Sequence, residues 1–180
     1  MNISLSGEQV KQLAGPGCNV IPYSQLNKYN DINELINHNT PKIALLYETG
    51  NNNGQLNGHW CGLALVDDSL QFFDSYGGKN GFPDNEQKII GDVYLKQSNQ
   101  TRNKLQRLLK NSQYPKLAYN EHKYQALKQG VNTCGRWVGC FLRSELTTDE
   151  FYKFISSYKK INGGSYDNNI IKLSDMYIQN

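Results

Sequence analysis

The chain shows two kinds of apolar spacing, and each predicts a different kind of element. Helical spacing comes first. Ser6-Gly7-Glu8-Gln9 has the form of a capping box, and the helix it opens runs to about Ala14, where Gly15-Pro16-Gly17 ends it. Ile32, Leu35 and Ile36 predict a second short helix that Thr40-Pro41 stops. Lys42–Glu48 is then a compact apolar run of strand length, and Thr49–Gly58 is polar and reads as a loop. His59–Val66 and Ser69–Tyr76 predict two further strands joined by a two-residue turn, Asp67-Asp68. Gly77–Asn85, rich in Gly, Pro and Asn, reads as loop.

Leu105, Leu108 and Leu109 place one apolar stripe on a helix near 100–112, and Lys116–Gln125 is a candidate fourth strand. Thr133 is placed to cap a helix whose apolar face carries Trp137, Val138, Phe141 and Leu142. Thr147-Thr148-Asp149-Glu150 is a second capping box, opening a helix with Phe151, Phe154, Ile155 and Tyr158 inward until Gly163-Gly164. In the tail, Ile170, Ile171, Leu173 and Ile178 supply a docking face. No repeat, linker or composition break divides residues 1–180, so one domain is expected. Its class is α+β, a small mixed or antiparallel central sheet flanked by helices.

Composition narrows the class. At 180 residues the chain is long enough for a core without disulfide staples, and 11% aromatic content argues against disorder. No apolar run reaches the roughly 18–20 residues of a membrane span, and the first eight residues lack the basic and apolar regions of a secretory signal, so a protein that is neither secreted nor membrane-bound is expected. Cysteines at 18, 61, 134 and 140 form no C-x-x-C pair, which argues for free thiols and against a structural zinc site. The net charge of +3 hides an asymmetry. Between Lys96 and Lys128 eight basic residues face only Glu121, giving that segment +7 and the remainder −4. Arg102, Lys104, Arg107 and Lys110 are its densest part. They are either a solvated helix face or a surface that attracts polyanions.

Three segments carry candidate chemistry: Gly58-His59-Trp60, Phe72-Phe73-Asp74-Ser75-Tyr76-Gly77, and Asn132-Thr133-Cys134-Gly135-Arg136-Trp137. A cysteine in the first turn of a helix sits where partial positive charge favours its thiolate. Gly135 beside it leaves room for a substrate backbone. A thiol nucleophile needs a general base, and an imidazole base needs an acceptor on its other nitrogen. If Asp67-Asp68 is a two-residue turn, paired residue numbers sum to 135, so Asp74 faces Cys61. His59 then lies diagonally on the same face, about 7–8 Å away between Cα atoms, within side-chain reach. A three-residue turn would put Asp74 on the other face. Taken singly, each of the three residues has an ordinary structural explanation. Their joint placement at element ends is what points to catalysis.

On these motifs (G-H-W at 58–60, F-F-D-S-Y-G at 72–77, and Y-Q…N-T-C-G-R-W over 124–137) the chain resembles the adenain/Ulp1-like cysteine proteases. The likeness is greatest to the branch that includes the maturation proteases of adenoviruses, large DNA viruses, virophages and Polinton-like elements. It spans roughly residues 42–142. The resemblance implies an adenain-like fold and a Cys134 nucleophile with His59 as base and then acid, oriented by Asp74. It implies a glutamine donor in the oxyanion hole. Gln125 fits the Tyr-Gln pattern, although it lies nine residues before Cys134, a longer gap than the family's; Gln129 is the alternative. Trp60 would border a cleft suited to small residues such as Gly.

The implied activity is cleavage of capsid and other virion precursor proteins, in the virion or the host cell's virus factory, by a monomer that needs no metal or organic cofactor. DNA contact through 96–128, as an activator, is also implied. Three alternatives remain open: a protease for ubiquitin-like modifiers, an acyltransferase of the same fold, and a non-enzymatic DNA- or capsid-binding module.

Overall fold

The computed structural model describes residues 4–78 and 82–178. The predicted loop's residues 79–81 and the tail's residues 179–180 lie outside them. Seven helices are described: α1 (Gly7–Ala14), α2 (Ile32–Leu35), α3 (Asp92–Gln97), α4 (Lys104–Lys110), α5 (Cys134–Ser144), α6 (Thr148–Asn162) and α7 (Tyr166–Asp175). The strands are β1 (Cys18–Pro22), β2 (Lys42–Asn52), β3 (Gln55–Val66), β4 (Ser69–Asp74) and β5 (Lys116–Tyr119). They form one mixed sheet in the order β1-β2-β3-β4-β5. The two central pairings are antiparallel, whereas β1 runs parallel to β2 and β5 parallel to β4. The two parallel returns are made through helical segments, as same-direction neighbours require. The class is therefore α+β with helices on both sheet faces.

Both capping boxes form. Gln9 N donates to Ser6 Oγ and Ser6 N to Gln9 Oε1; Thr147 and Glu150 exchange the same pair of bonds. One core lies between the sheet and α1, α5, α6 and α7, where Phe73 packs against Phe141, Tyr124 and Phe151. The other face buries α2, α4 and the 3-10 turn Tyr23–Lys28, with Leu105 and Leu108 inward. Helix α5 crosses α1 so closely that a Cβ on Gly139 would stand 2.5 Å from Leu13 Cδ2.

Several elements differ from expectation. Thr49–Gly58 is the protruding end of the β2–β3 hairpin, closed at Asn53-Gly54 with φ of 53° and 85°. Its residues are polar because that end stands in solvent, so apolar alternation is missing although the ladder continues. β1 also escaped the pattern, because an edge strand with only Val20 and Ile21 at its centre carries little signal. The helix expected near 100–112 is α4, with Leu105 and Leu108 buried, and the short helix α3 precedes it at 92–97 without having been expected. β5 stops at Tyr119, since the Asn120 side chain turns the chain by bonding the backbone of Asp74 from both sides. Phe154 stands 43% exposed on α6, leaving Phe151 and Ile155 as that helix's buried apolar residues.

Candidate active site

The β3–β4 turn is the two-residue one. Asp67 and Asp68 take φ of 47° and 60°, Val66 pairs with Ser69, and Cys61 pairs with Asp74. His59 is thus diagonal to Asp74 on one face, and its Nε2 meets Asp74 Oδ1 at 2.8 Å with both side chains buried. The same oxygen accepts the Tyr76 N–H at 2.9 Å, which fixes the carboxylate. The Tyr76 ring lies on the imidazole, centroids 4.4 Å apart and planes 10° from parallel.

β4 ends at Asp74, so beyond Cys61 strand β3 has no neighbour on that side. The first turn of α5 fills the gap and brings the partly exposed Cys134 thiol beside the His59 ring, close enough for the two to shift each other's ionisation. Burial opposes ionisation of this thiol. His59, with the backbone N–H groups of Trp60 and Gly135, outweighs burial and lowers its pKa below the ordinary value. Burial likewise opposes charge on His59, and its neighbours Cys61, Asp74 and Cys134 outweigh it and raise its pKa. Asp74, buried yet bonded to His59 and to the Tyr76 N–H, is held below the usual carboxylate range.

Thr133 occupies the N-cap position of α5, but its hydroxyl does not cap the helix. It donates to Asp167 Oδ1 at 2.6 Å. Asp167 also accepts from Trp137 Nε1 and from the Ala126 backbone N–H, so one α7 side chain ties the loop before the nucleophile to the helix that carries it. Gln125 is buried in that loop. Its Oε1 accepts from Ser75 Oγ at 2.8 Å, and its Nε2 donates to the Val131 carbonyl at 2.9 Å. Gln129 is exposed.

Cys134 opens on a cleft of about 750 Å³ between the start of α1 and the projecting β2–β3 hairpin. Trp60, Gly135, Asn132, Leu46 and Leu5 also line it. A Cβ on Gly135 would lie 3.0 Å from Val10 and 3.2 Å from Trp60, so this glycine serves helix packing besides bordering the cleft. The basic residues lie elsewhere. Arg102 pairs with Asp92, and Arg102, Arg107 and Lys110 border a separate groove of about 550 Å³ with Phe82 and Leu109, while Lys104 is half-buried.

The motifs gave no role to Asn120 or Asp167, whose bonds to Asp74, Thr133, Trp137 and Ala126 are made with residues far away in sequence. Tyr76 lies within the F-F-D-S-Y-G motif, and the register whose paired numbers sum to 135 sets it opposite His59, so its ring contact with the imidazole could have been read from the spacing.

Over 154 residues the chain is 36% identical to the uncharacterized protein V9 of Sputnik virophage, a match that covers 84% of this chain and 81% of V9. The chain belongs to the family of virophage protein V9. No protein-family model matches it. Among the described residues of this V9-family chain, no helix is long and apolar enough to cross a membrane.

Proposed function

We propose that this V9-family chain is a cysteine endopeptidase of the adenain/Ulp1-like type that processes capsid and other virion precursors. The observation that carries the reading is the meeting of Cys134, on the wall of a cleft, with the buried His59 and Asp74 behind it, the thiol's pKa lowered and the imidazole's raised. His59 takes the thiol proton and Cys134 attacks a peptide carbonyl. The oxyanion is held by the Cys134 N–H and by the second hydrogen of Gln125 Nε2, the first being given to the Val131 carbonyl, each such donor being worth about 3–4 kcal/mol. The tetrahedral adduct collapses as His59 protonates the leaving amine, and water activated by the same ring hydrolyses the thioester.

Asp74 keeps the ring oriented and stabilises its charged form. Trp60 on the cleft wall favours small residues, Gly above all, beside the cut bond. A virophage relative agrees with work in the virion or virus factory. The groove lined by Arg102, Arg107 and Lys110 is the place where DNA would act on the enzyme.

The test is cleavage of a recombinant virophage capsid precursor. The wild-type chain should cut at a Gly-containing site and Cys134→Ala should not. Equal cutting by both, or none by the wild type with or without DNA, rejects the proposal.

A further inference from the structure

Beside the Cys134 contact lies a second constellation, which shares His59 and Asp74 with the proposed acyl transfer and adds Cys61 and Glu86, which that reaction does not use. Cys61 is the cross-strand partner of Asp74 and shares a face of β3 with His59. One ligand atom from each of His59, Cys61 and Asp74 falls within 4.8 Å of the others, and all three residues are buried. A fourth group arrives from the 3-10 turn Asn85–Lys88: the Glu86 carboxyl, close enough for its charge to act on Asp74 and Cys61. Glu86 is 9% exposed, and its Oε2 is buried without a hydrogen-bond partner. Two carboxyls side by side away from water cannot both carry charge without compensation, and the single His59 imidazolium bonded to Asp74 offsets only one of them. Either a proton or a cation meets that need, and the neighbouring thiol and imidazole make the donor set one that suits a soft cation.

We propose that His59, Cys61, Asp74 and Glu86 form a binding site for one thiophilic divalent cation of the zinc type, whose occupancy switches the Cys134 site off. Imidazole nitrogen, thiolate and carboxylate oxygens are zinc donors, and tetrahedral bonds of about 2.0–2.3 Å put neighbouring donors about 3.3–3.8 Å apart. A contraction of about 1 Å from the spread of His59, Cys61 and Asp74 closes three positions, and the Glu86 carboxyl, outside that spread, swings in to close the fourth. On binding, the His59 imidazolium gives one proton to solvent and Cys61 its thiol proton, as does Glu86 if protonated, so a neutral imidazole, two carboxylates and one thiolate face the dication. A neutral imidazole has one nitrogen lone pair. Once that pair is on the metal, the other nitrogen carries hydrogen and has nothing with which to accept the Cys134 proton. The binding rests on the four side chains alone; the inhibition rests in addition on the function proposed above.

The experiment titrates Co²⁺ into metal-stripped Cys134→Ala protein, a background that removes the competing thiolate. One equivalent should bind with a thiolate-to-cobalt absorption band and be displaced by Zn²⁺. Cys61→Ser in the same background should lose the band while keeping its far-UV circular dichroism, and Glu86→Gln should weaken binding about tenfold or more. No band at micromolar Co²⁺, or a band kept in Cys61→Ser, overturns the site. Should Cys61→Ser fail to fold, an unchanged affinity in Glu86→Gln overturns it equally. In the wild-type chain, Zn²⁺ should stop precursor cleavage and a chelator should restore it. Cobalt binding without any cleavage by metal-free wild type would reject the protease and keep the site; cleavage that Zn²⁺ leaves untouched would reject the switch.

Discussion

Replacing His59 with Ala should move the reactivity of Cys134 strongly toward alkaline pH. In the native site burial pushes the thiol up, while the closeness and charge of His59, followed by the N–H groups of Trp60 and Gly135, bring it down below 9.0. His59→Ala removes the two largest lowering influences and leaves most of the burial, so the thiol should titrate at or above 9.0. A thiol at that value is only about 0.1% thiolate at pH 6. The variant's alkylation rate there should therefore be roughly 1,000-fold below its own alkaline plateau. In the wild type, each pH unit by which the titration is lowered multiplies thiolate tenfold and costs about threefold in nucleophilicity, a net gain of about 3–4-fold in rate at pH 6. The sign is fixed: the thiolate–imidazolium pair persists above the lowered thiol pKa and below the raised imidazole pKa. Iodoacetamide labelling from pH 5 to 10 in chelator, with Cys134 quantified by peptide mass spectrometry, measures this without any knowledge of substrate. Cys18, Cys61 and Cys140 are buried and serve as internal controls. Superimposable profiles for wild type and His59→Ala would refute the coupling of the two residues.

Gln125→Ala should lower kcat for precursor cleavage by about 10²–10³-fold, whereas Gln129→Ala, altering an exposed loop residue, should stay within about threefold in the same assay. Asp167→Ala removes the acceptor for Thr133, Trp137 and Ala126 and should cost about 2–3 kcal/mol in urea unfolding. The same change should lower kcat/KM roughly tenfold to a hundredfold through a misplaced nucleophile. Gly139→Ala drives a methyl into the fully buried Leu13, so overpacking should exceed the helix-propensity gain and leave a net loss of about 1–2 kcal/mol by thermal or urea unfolding.

The parts of the fold that could be read in advance are those with local causes. Both capping boxes, the Asp67-Asp68 turn and the apolar face of α5 depend on residues within a few positions of one another, and all were visible as patterns. The turn length carried the most weight, because a period-two strand converts a one-residue change into a change of face. It put Asp74 opposite Cys61 and within reach of His59. What could not be read was held by partners distant in sequence. β1 is an edge strand that exists because β2 offers it a parallel ladder, and the polar hairpin end 49–58 is strand because backbone bonds, not burial, hold it. The Thr133 hydroxyl had two uses open to it, and choosing Asp167 over the helix depends on where α7 docks.

These distant partners divide the molecule into two kinds of cohesion, and that division can be measured. The core rests on apolar burial, with Trp137, Phe73, Phe141 and Phe151 essentially inaccessible. The nucleophile is held instead by three polar clasps: Asn120 on the backbone of Asp74, Gln125 between Ser75 and Val131, and Asp167 on Thr133. Each contributes only about 0.5–1.5 kcal/mol net, or somewhat more where charged. Residues 126–130 between the second and third clasps are exposed, so water can replace those bonds early in denaturant. The loop should therefore open at a free energy below that of global unfolding. In a urea series the fast alkylation of Cys134 should collapse at a lower midpoint than the helical circular dichroism signal, while alkylation of Cys140, deep in α5, should follow the helices. Coincident midpoints for all three signals would mean that the site and the core unfold as one unit, and would remove the ground for treating the clasps as a separate layer of the structure.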